Sequence, residues 1–166
     1  LPSGKKSKIK SIISAEIKEL AALDDGDAIE SVTSARCGES VTLTLEDEID
    51  IGRGDMIIDC LADMPLTNSF EAMVVWMGES KSLETGYIFK TGSTVVSGRI
   101  EEIKYKKEME SFEQSKAESL SLNDIALCRI SLDKAIALES YEANRFTGGF
   151  IIIDRYTDET VGAGMV

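Results

Sequence analysis

Apolar and polar residues alternate with a period of two over much of the chain, which is the pattern of half-buried β-strands. Residues 7–13 (SKIKSII) and 41–45 (VTLTL) show this pattern most clearly in the first third of the sequence. Further strands are predicted at residues 56–60, 86–90, 93–105, 125–132, 135–138, 150–155 and 161–166. Glycine-containing turns separate most of these short segments, which predicts antiparallel barrels or sandwiches. We therefore assign the chain to the all-β class.

One predicted strand departs from this alternation. Residues 70–77 (FEAMVVWM) are apolar nearly throughout, which predicts a strand that is buried on both faces or joins two sheets. Trp76 within it is expected to be mostly buried in the core or at a domain interface, with a hot spot for a partner as the alternative. In residues 93–105 the apolar positions change face around Gly98, which predicts a bulge or a sharp bend of a barrel.

Other segments break the strand pattern. Residues 15–23 (AEIKELAAL) have apolar side chains at helical spacing and form either a short helix or a loop with an apolar edge. Residues 106–122 carry Glu and Lys at irregular spacing and are predicted to be a loop. A linker at residues 64–69, which contains a proline, separates a first unit at residues 1–63 from a second unit at residues 70–166.

Charge limits the partners that we expect. The 166 residues include 18 basic and 30 acidic side chains, giving a formal net charge of −12. Such a chain repels phosphate backbones and anionic lipid, so nucleic acid and membranes are not expected partners. Residues 1–6 lack the apolar stretch of a signal peptide. We expect a cytoplasmic protein.

The residues that carry most enzyme chemistry are absent or widely spaced. The sequence has no histidine, which removes the commonest general base and a common zinc ligand. Cys37, Cys60 and Cys128 are far apart and odd in number, so we expect buried or half-buried free thiols, with a disulfide or metal role as the alternative. We assign no catalytic, cofactor-binding or metal-binding residue.

Short motifs that resemble sites are better explained as turns or loops. Residues 3–7 (SGKKS) lack the second glycine of a phosphate-binding loop. Residues 52–55 (GRGD) contain an integrin-type tripeptide without a secretion signal and predict a turn. Residues 46–50 (EDEID) fail the spacing of a calcium loop. Arg145 and Arg155 flank a Gly-Gly turn, either as surface pairs or as anchors for a protein partner.

The order of segments is more specific than any single motif. LPSGKKSKIKSI followed by VTLTLEDEIDIGRGDMI resembles the second domain of translation-factor-type GTPases. VVWMGES, SGRIEEIKY, SLNDIALCRISLDKAIAL and YEANRFTGGFIIIDRYTDETVGAGMV then follow in the order of the third domain. TVGAGMV is similar to the end of domain three of elongation factor Tu. The combination of VVWM with NRFTGGFIIIDR most closely resembles the large GTPase subunits of bacterial sulfate adenylyltransferase, also called ATP sulfurylase.

This resemblance implies two consecutive antiparallel β-barrels of translation-factor type. Residues 1–63 would form a domain-two-like barrel that is incomplete at its N-terminus, and residues 70–166 a six-stranded domain-three-like barrel. The resemblance also implies that a GTPase domain and the first strands of domain two precede this segment. Residues 14–38 are longer than the usual connection of the family and are expected to be an insertion.

The resemblance also implies a function. In this family the small subunit makes adenosine 5′-phosphosulfate from ATP and sulfate, and GTP hydrolysis by the large subunit drives that step. The implied partners of this chain are the catalytic small subunit, within a heterodimer for sulfate assimilation, and the GTPase domain of its own protein, where GTP and Mg²⁺ would bind. Its role would be docking and interdomain coupling, without activity of its own. The alternative is a pair of translation-factor barrels that bind RNA or protein, and the charge of −12 argues against RNA.

Overall fold

The computed structural model describes residues 4–14, 32–62, 64–79, 81–82, 86–108 and 113–166. Within these ranges the regular structure is almost entirely β-strand. The chain divides into two compact units, Gly4–Ile51 and Gly52–Val166. The helix or loop predicted at residues 15–23 lies outside the described residues, as does most of the predicted insertion.

The Gly4–Ile51 unit contains an antiparallel pair of strands, β1 (Ile9–Ser14) and β2 (Val41–Leu45). A further isolated bridge joins Ile12 of β1 to Val32. Both strands were predicted from their alternating side chains, which place one apolar face on each strand. This unit therefore supplies a small sheet that is separate from the larger one described next.

The Gly52–Val166 unit contains the remaining described strands. They are β3 (Leu66–Trp76), β4 (Lys81–Ser82), β5 (Tyr87–Thr91), β6 (Thr94–Lys107), β7 (Gln114–Ser115), β8 (Ser119–Leu120), β9 (Ile125–Ala137), β10 (Gly149–Asp154) and β11 (Thr160–Met165). Six of them form a closed antiparallel barrel in the order β5, β10, β11, β3, β9, β6, because β6 returns to pair with β5. The predicted six-stranded barrel is confirmed.

Gly98 is the residue at which the barrel closes. It pairs with Tyr87 of β5 on one side and with Leu132 of β9 on the other. A Cβ atom at this position would lie 2.5 Å from the carbonyl oxygen of Ser131, so a larger residue would force the backbone to move. The register of β6 against β9 shifts at two points further along the strand. The bulges of β6 therefore lie beyond Gly98, between Ile100 and Glu102 and between Ile103 and Tyr105, and not at the predicted position.

The interior of the barrel is the hydrophobic core. Trp76 is 1% exposed, as predicted, and its ring meets Tyr87 edge-on with the ring centres 5.6 Å apart. The largest fully buried side chains are those of Trp76, Tyr87, Phe89, Ile130, Ile152, Val74, Asp154 and Cys128. Asp154 accepts hydrogen bonds from the amides of Tyr156 and Thr157 at 2.8 and 3.2 Å, which compensates for the burial of its carboxylate.

Several predicted boundaries differ from the observed strands, and the strand predicted at residues 56–60 is wrong, because those residues form no strand. β3 begins at Leu66, inside the predicted linker, because Leu66 and Thr67 pair with the end of β9. For the same reason β9 is one continuous strand instead of the two predicted at residues 125–132 and 135–138. The predicted loop at residues 106–122 contains the end of β6 and the short strands β7 and β8. These extensions arise from hydrogen bonds between the backbones of paired strands. The alternation of side chains along the sequence does not reveal that pairing.

We predict that Gly52–Val166 unfolds as one cooperative unit, because a strand cannot leave a closed barrel without opening the ring. Urea denaturation followed by Trp76 fluorescence and by far-UV circular dichroism should give coincident single transitions. A segment that starts at residue 70 lacks the pairing of Leu66 and Thr67 with β9 and should unfold at a lower urea concentration. Separate transitions of the longer segment would contradict the closed barrel.

Candidate interaction surface

The GRGD motif forms a closed turn. The Gly52 amide donates a hydrogen bond to Oδ2 of Asp55 at 2.8 Å, and the Asp55 amide donates to the Gly52 carbonyl at 3.1 Å. Gly54 has φ +101°, a conformation that favours glycine. Its carbonyl oxygen accepts a hydrogen bond from the Thr94 hydroxyl at 2.9 Å. The Asp55 carboxylate therefore stabilises the turn, in agreement with the turn predicted from the sequence.

The acidic segment at residues 46–50 lies beside the start of β1, and its carboxylate side chains are exposed. The Glu46 amide donates to the Lys8 carbonyl at 2.9 Å, and the Asp47 amide donates to the Ser7 hydroxyl at 3.1 Å. These contacts tie the segment to Ser7, the last residue of the predicted SGKKS turn, and to Lys8, which follows it. Within the described part of the chain, no group of three or more Cys, Asp or Glu residues is arranged to hold a metal ion.

The three cysteines are free thiols in different surroundings. Cys128 lies on β9 in the core, and burial raises the pKa of its thiol to about 12. Cys37 and Cys60 are exposed, so the prediction of buried or half-buried thiols is wrong for these two. Both lie in turns outside the strands, where no sheet face covers them.

We expect Cys37 and Cys60 of the folded chain to react rapidly with a disulfide reagent at about pH 8, and Cys128 to react only on unfolding. The folded pKa of Cys128 exceeds the ordinary thiol value of about 8.5. Its contribution to stability is therefore complete below that pH and is lost as the pH rises toward about 12. Counting thiols against time, with and without denaturant, tests this expectation. Three equally fast thiols in the folded chain would contradict it.

Arg145 and Arg155 lie at opposite ends of β10, whose six residues span roughly 20 Å. The guanidinium carbon of Arg145 lies 5.8 Å from the centre of the Tyr141 ring, in a cation–π arrangement. The Arg155 side chain passes close to Gly86. A Cβ atom added at Gly86 would lie 3.1 Å from Nη1 of Arg155. The two candidates therefore do not combine into one site. Neither arginine forms an ion pair with another described residue.

A short helix that the sequence pattern did not predict, α1 (Arg145–Gly148), precedes β10. Asn144 caps it, because its Oδ1 accepts a hydrogen bond from the Phe146 amide at 3.0 Å. Oε2 of Glu139 accepts from Nδ2 of Asn144 at 3.1 Å and from the Thr147 hydroxyl at 2.7 Å. This network fixes the turn and leaves the Phe146 side chain 66% exposed on the surface.

Gly148→Ala should lower the free energy of unfolding by on the order of 2 kcal/mol, as overpacking does. Its added Cβ atom would lie 2.5 Å from the backbone nitrogen and Cα of Tyr141, which cannot rotate away as a side chain can. Gly52→Ala is the matched control, because its Cβ atom would meet only the Asp55 carboxylate at 3.7 Å. Urea unfolding of both variants tests this difference. Equal stabilities would show that the turn tolerates a side chain at Gly148.

Next to α1, the outer surface of the barrel has a shallow apolar groove of about 490 Å³, which we call the outer groove. Tyr141 and Gly92 belong to its rim. Outward-facing positions of β3, β11, β10 and β5 form its floor, because alternate residues of each strand point away from the core. The floor residues that matter for its chemistry are Met73, Val75, Lys90, Ile151, Ala163 and Met165.

One cross-strand row crosses the whole floor. Val75 on β3 pairs with Ala163 on β11, which pairs with Ile151 on β10. Ile151 pairs in turn with Lys90 on β5. The small side chain of Ala163 lies between two larger apolar neighbours, which leaves a depression, and the lysine supplies a charge at one end of the row.

A second, parallel row is also apolar. Met73 pairs with Met165, and Met165 pairs with Gly149. Gly149 adds no side chain above the sheet, whereas methionine side chains are flexible and adapt to differently shaped surfaces. The two rows together give a floor that can accommodate apolar side chains of another molecule.

The outer groove accounts for the nearly continuous apolar sequence at residues 70–77. Alternate residues of β3 face the core, whereas Met73 and Val75 face outward into the groove. Val75 is 37% exposed, so the first of the two alternatives for this strand, burial on both faces, is wrong for its outward side. The groove residues were not predicted from the sequence, although their apolar outward positions were the signal that could have found them.

Elsewhere on the outer surface, β3, β9 and β6 carry a cluster of ion pairs. Arg129 contacts Glu71 at 2.9 Å, and Lys104 contacts Glu102 at 2.8 Å and Glu71 at 3.7 Å. The hydrogen bond from Lys104, with the charges of Lys104 and Arg129, lowers the pKa of Glu102. The hydrogen bond to Glu71 raises the pKa of Arg129. These partly exposed pairs satisfy one another and contribute little to stability individually.

Comparison with known proteins agrees with the closed barrel. Residues 69–166 match the family described as GTP-eEF1A C-terminal domain-like, so the chain belongs to that family. Structures of sup35 complexed with GDP and with GMPPNP superpose with TM-scores of 0.80 and 0.81, over 100% of this chain and 38% of each sup35 chain. Their sequence identities of 17% and 16% establish a shared fold only. Among the described residues, no helix is long and apolar enough to cross a membrane.

More specifically, the chain is similar to proteins named sulfate adenylyltransferase subunit 1. The identity is 43% to that of Saccharophagus degradans, 42% to that of Teredinibacter turnerae and 44% to that of Cellvibrio japonicus. These alignments cover 99–100% of this chain and 33% of each relative, so the chain spans about a third of their length. The resemblance inferred from the order of segments is confirmed.

Proposed function

We propose that this chain is the barrel portion of the GTPase subunit of a sulfate adenylyltransferase, where it docks the catalytic subunit and couples it to a GTP-hydrolysing domain. The supporting observation is an identity of 42–44% over nearly the whole chain to sulfate adenylyltransferase subunit 1. A subunit 1 requires at least one other subunit. The whole enzyme would make adenosine 5′-phosphosulfate from ATP and sulfate, within a cytoplasmic heterodimer for sulfate assimilation.

In this proposal the barrel acts by position and not by chemistry. The sequence has no GxxxxGK[ST] motif and no Asn-Lys-x-Asp motif. GTP and Mg²⁺ are therefore assigned to another domain of the same protein, and this chain alone is expected to be inactive. A closed barrel is suited to coupling because it can move as a rigid body when the nucleotide state of a neighbouring domain changes.

Binding to the catalytic subunit tests this proposal. The 166-residue chain should be retained by immobilised catalytic subunit of sulfate adenylyltransferase, and more strongly when the GTPase domain is attached. The barrels of sup35 are the matched control, because they share the fold at 17% identity and should not be retained. No retention of this chain in either form would overturn the docking role.

A second measurement separates the proposal from the translation-factor alternative. The net charge of −12 makes an RNA backbone an unfavourable partner. We therefore expect no salt-dependent binding of transfer RNA. Because GTP is assigned to another domain, we also expect no GTP hydrolysis above background. Binding of transfer RNA that weakens with added salt would support the alternative, and GTP hydrolysis by this chain would contradict its assignment as a non-catalytic portion.

A further inference from the structure

The outer groove is an apolar surface on an otherwise highly charged chain. Val75 is 37% exposed and Met165 43% exposed, and they lie on adjacent strands of one closed sheet. A contiguous apolar area on the outer face of a barrel is a candidate interaction site.

The rest of β3 shows what the outward face looks like where it meets water. Glu71, the outward residue just before Met73, takes part in the ion-pair cluster with Arg129 and Lys104. The change from paired charges to apolar side chains therefore occurs within one strand, between Glu71 and Met73. Because one strand carries both the charged and the apolar surface, the apolar outward side chains are a local feature of this strand and not a general property of the fold.

Two cations lie at the outer groove and none of its floor residues is acidic. Lys90 ends the first cross-strand row, and Arg145 stacks on Tyr141 at the rim. Neither cation forms an ion pair with another described residue. In a chain with a net charge of −12, the described lining of the groove carries the positive charge of Lys90 and no negative charge. An occupant with apolar side chains beside a carboxylate would complement it.

We propose that the outer groove binds a segment of the catalytic subunit that places apolar side chains on the floor and a carboxylate against Lys90. This inference rests on the proposed function, which supplies the identity of the partner. The groove volume of about 490 Å³ accommodates a few large apolar side chains. A second copy of this chain is a poorer occupant, because two bodies of charge −12 repel each other.

The test is the affinity of the 166-residue chain for the catalytic subunit, measured by isothermal titration calorimetry. Val75→Glu and Lys90→Glu should each raise Kd by about tenfold or more, because each places an unpaired carboxylate where the proposed contact is apolar or cationic. Leu122→Glu and Lys134→Glu introduce the same changes at exposed positions away from the groove lining. These control variants should stay within about twofold of the unchanged chain.

Further variants separate lost contacts from lost folding. Val75→Thr preserves the branched shape and should weaken binding less than Val75→Glu, whereas Lys90→Arg should retain binding. Urea unfolding of each variant verifies that the barrel is intact. Raising the salt concentration from about 0.05 to about 0.5 M should weaken binding of the unchanged chain more than that of Lys90→Glu, because only the former has the ion pair to screen.

The possible results distinguish a wrong groove assignment from a wrong proposed function. If the unchanged chain binds and the groove variants bind equally well, the groove assignment is wrong while the proposed function stands. If the unchanged chain does not bind the catalytic subunit at all, both fail. If sedimentation shows that the chain self-associates and Val75→Glu abolishes this, the occupant is a second copy and the inference is overturned.

Discussion

The structure depends on the double pairing of β6, which closes the ring of strands by bonding to β5 and β9 at once. Gly98 belongs to both pairings, and its missing side chain admits the Ser131 carbonyl into the space that a Cβ atom would need. Once the ring is closed, every second residue of each strand enters the core. The remaining residues must face outward regardless of their polarity, so the barrel can vary its outer surface without changing its interior.

The outer surface uses this freedom in two ways. Where β3, β9 and β6 adjoin, carboxylates and cations neutralise one another in a cluster that includes Glu71 and Arg129. Where β3, β11, β10 and β5 adjoin, the outward residues of the outer groove are apolar apart from Lys90. The first surface is complete without a partner, since its charges are satisfied. The second leaves apolar area and positive charge exposed together, and both would be stabilised by contact with another protein.

Much of the fold could be predicted from the sequence because strand alternation and glycine positions report it directly. The order of segments identified the family, and Trp76 is buried as expected. Extensions such as Leu66–Thr67 were missed because they depend on long-range pairing with β9. The helix α1 was missed because its four residues are held by the side chains of Asn144 and Glu139, not by a periodic apolar face. The outer groove was missed because its rows join residues that are distant in sequence, although their apolar outward side chains were visible.

Methionine oxidation of the chain, alone and in complex with the catalytic subunit and quantified by mass spectrometry, tests directly whether the outer groove is the docking surface. Met73 and Met165 line the outer groove, whereas Met56 is partly exposed and lies outside its lining. Complex formation should slow the oxidation of Met73 and Met165 and leave that of Met56 unchanged. Oxidation of Met73 and Met165 at the same rates in the free chain and in the intact complex would contradict docking at the groove.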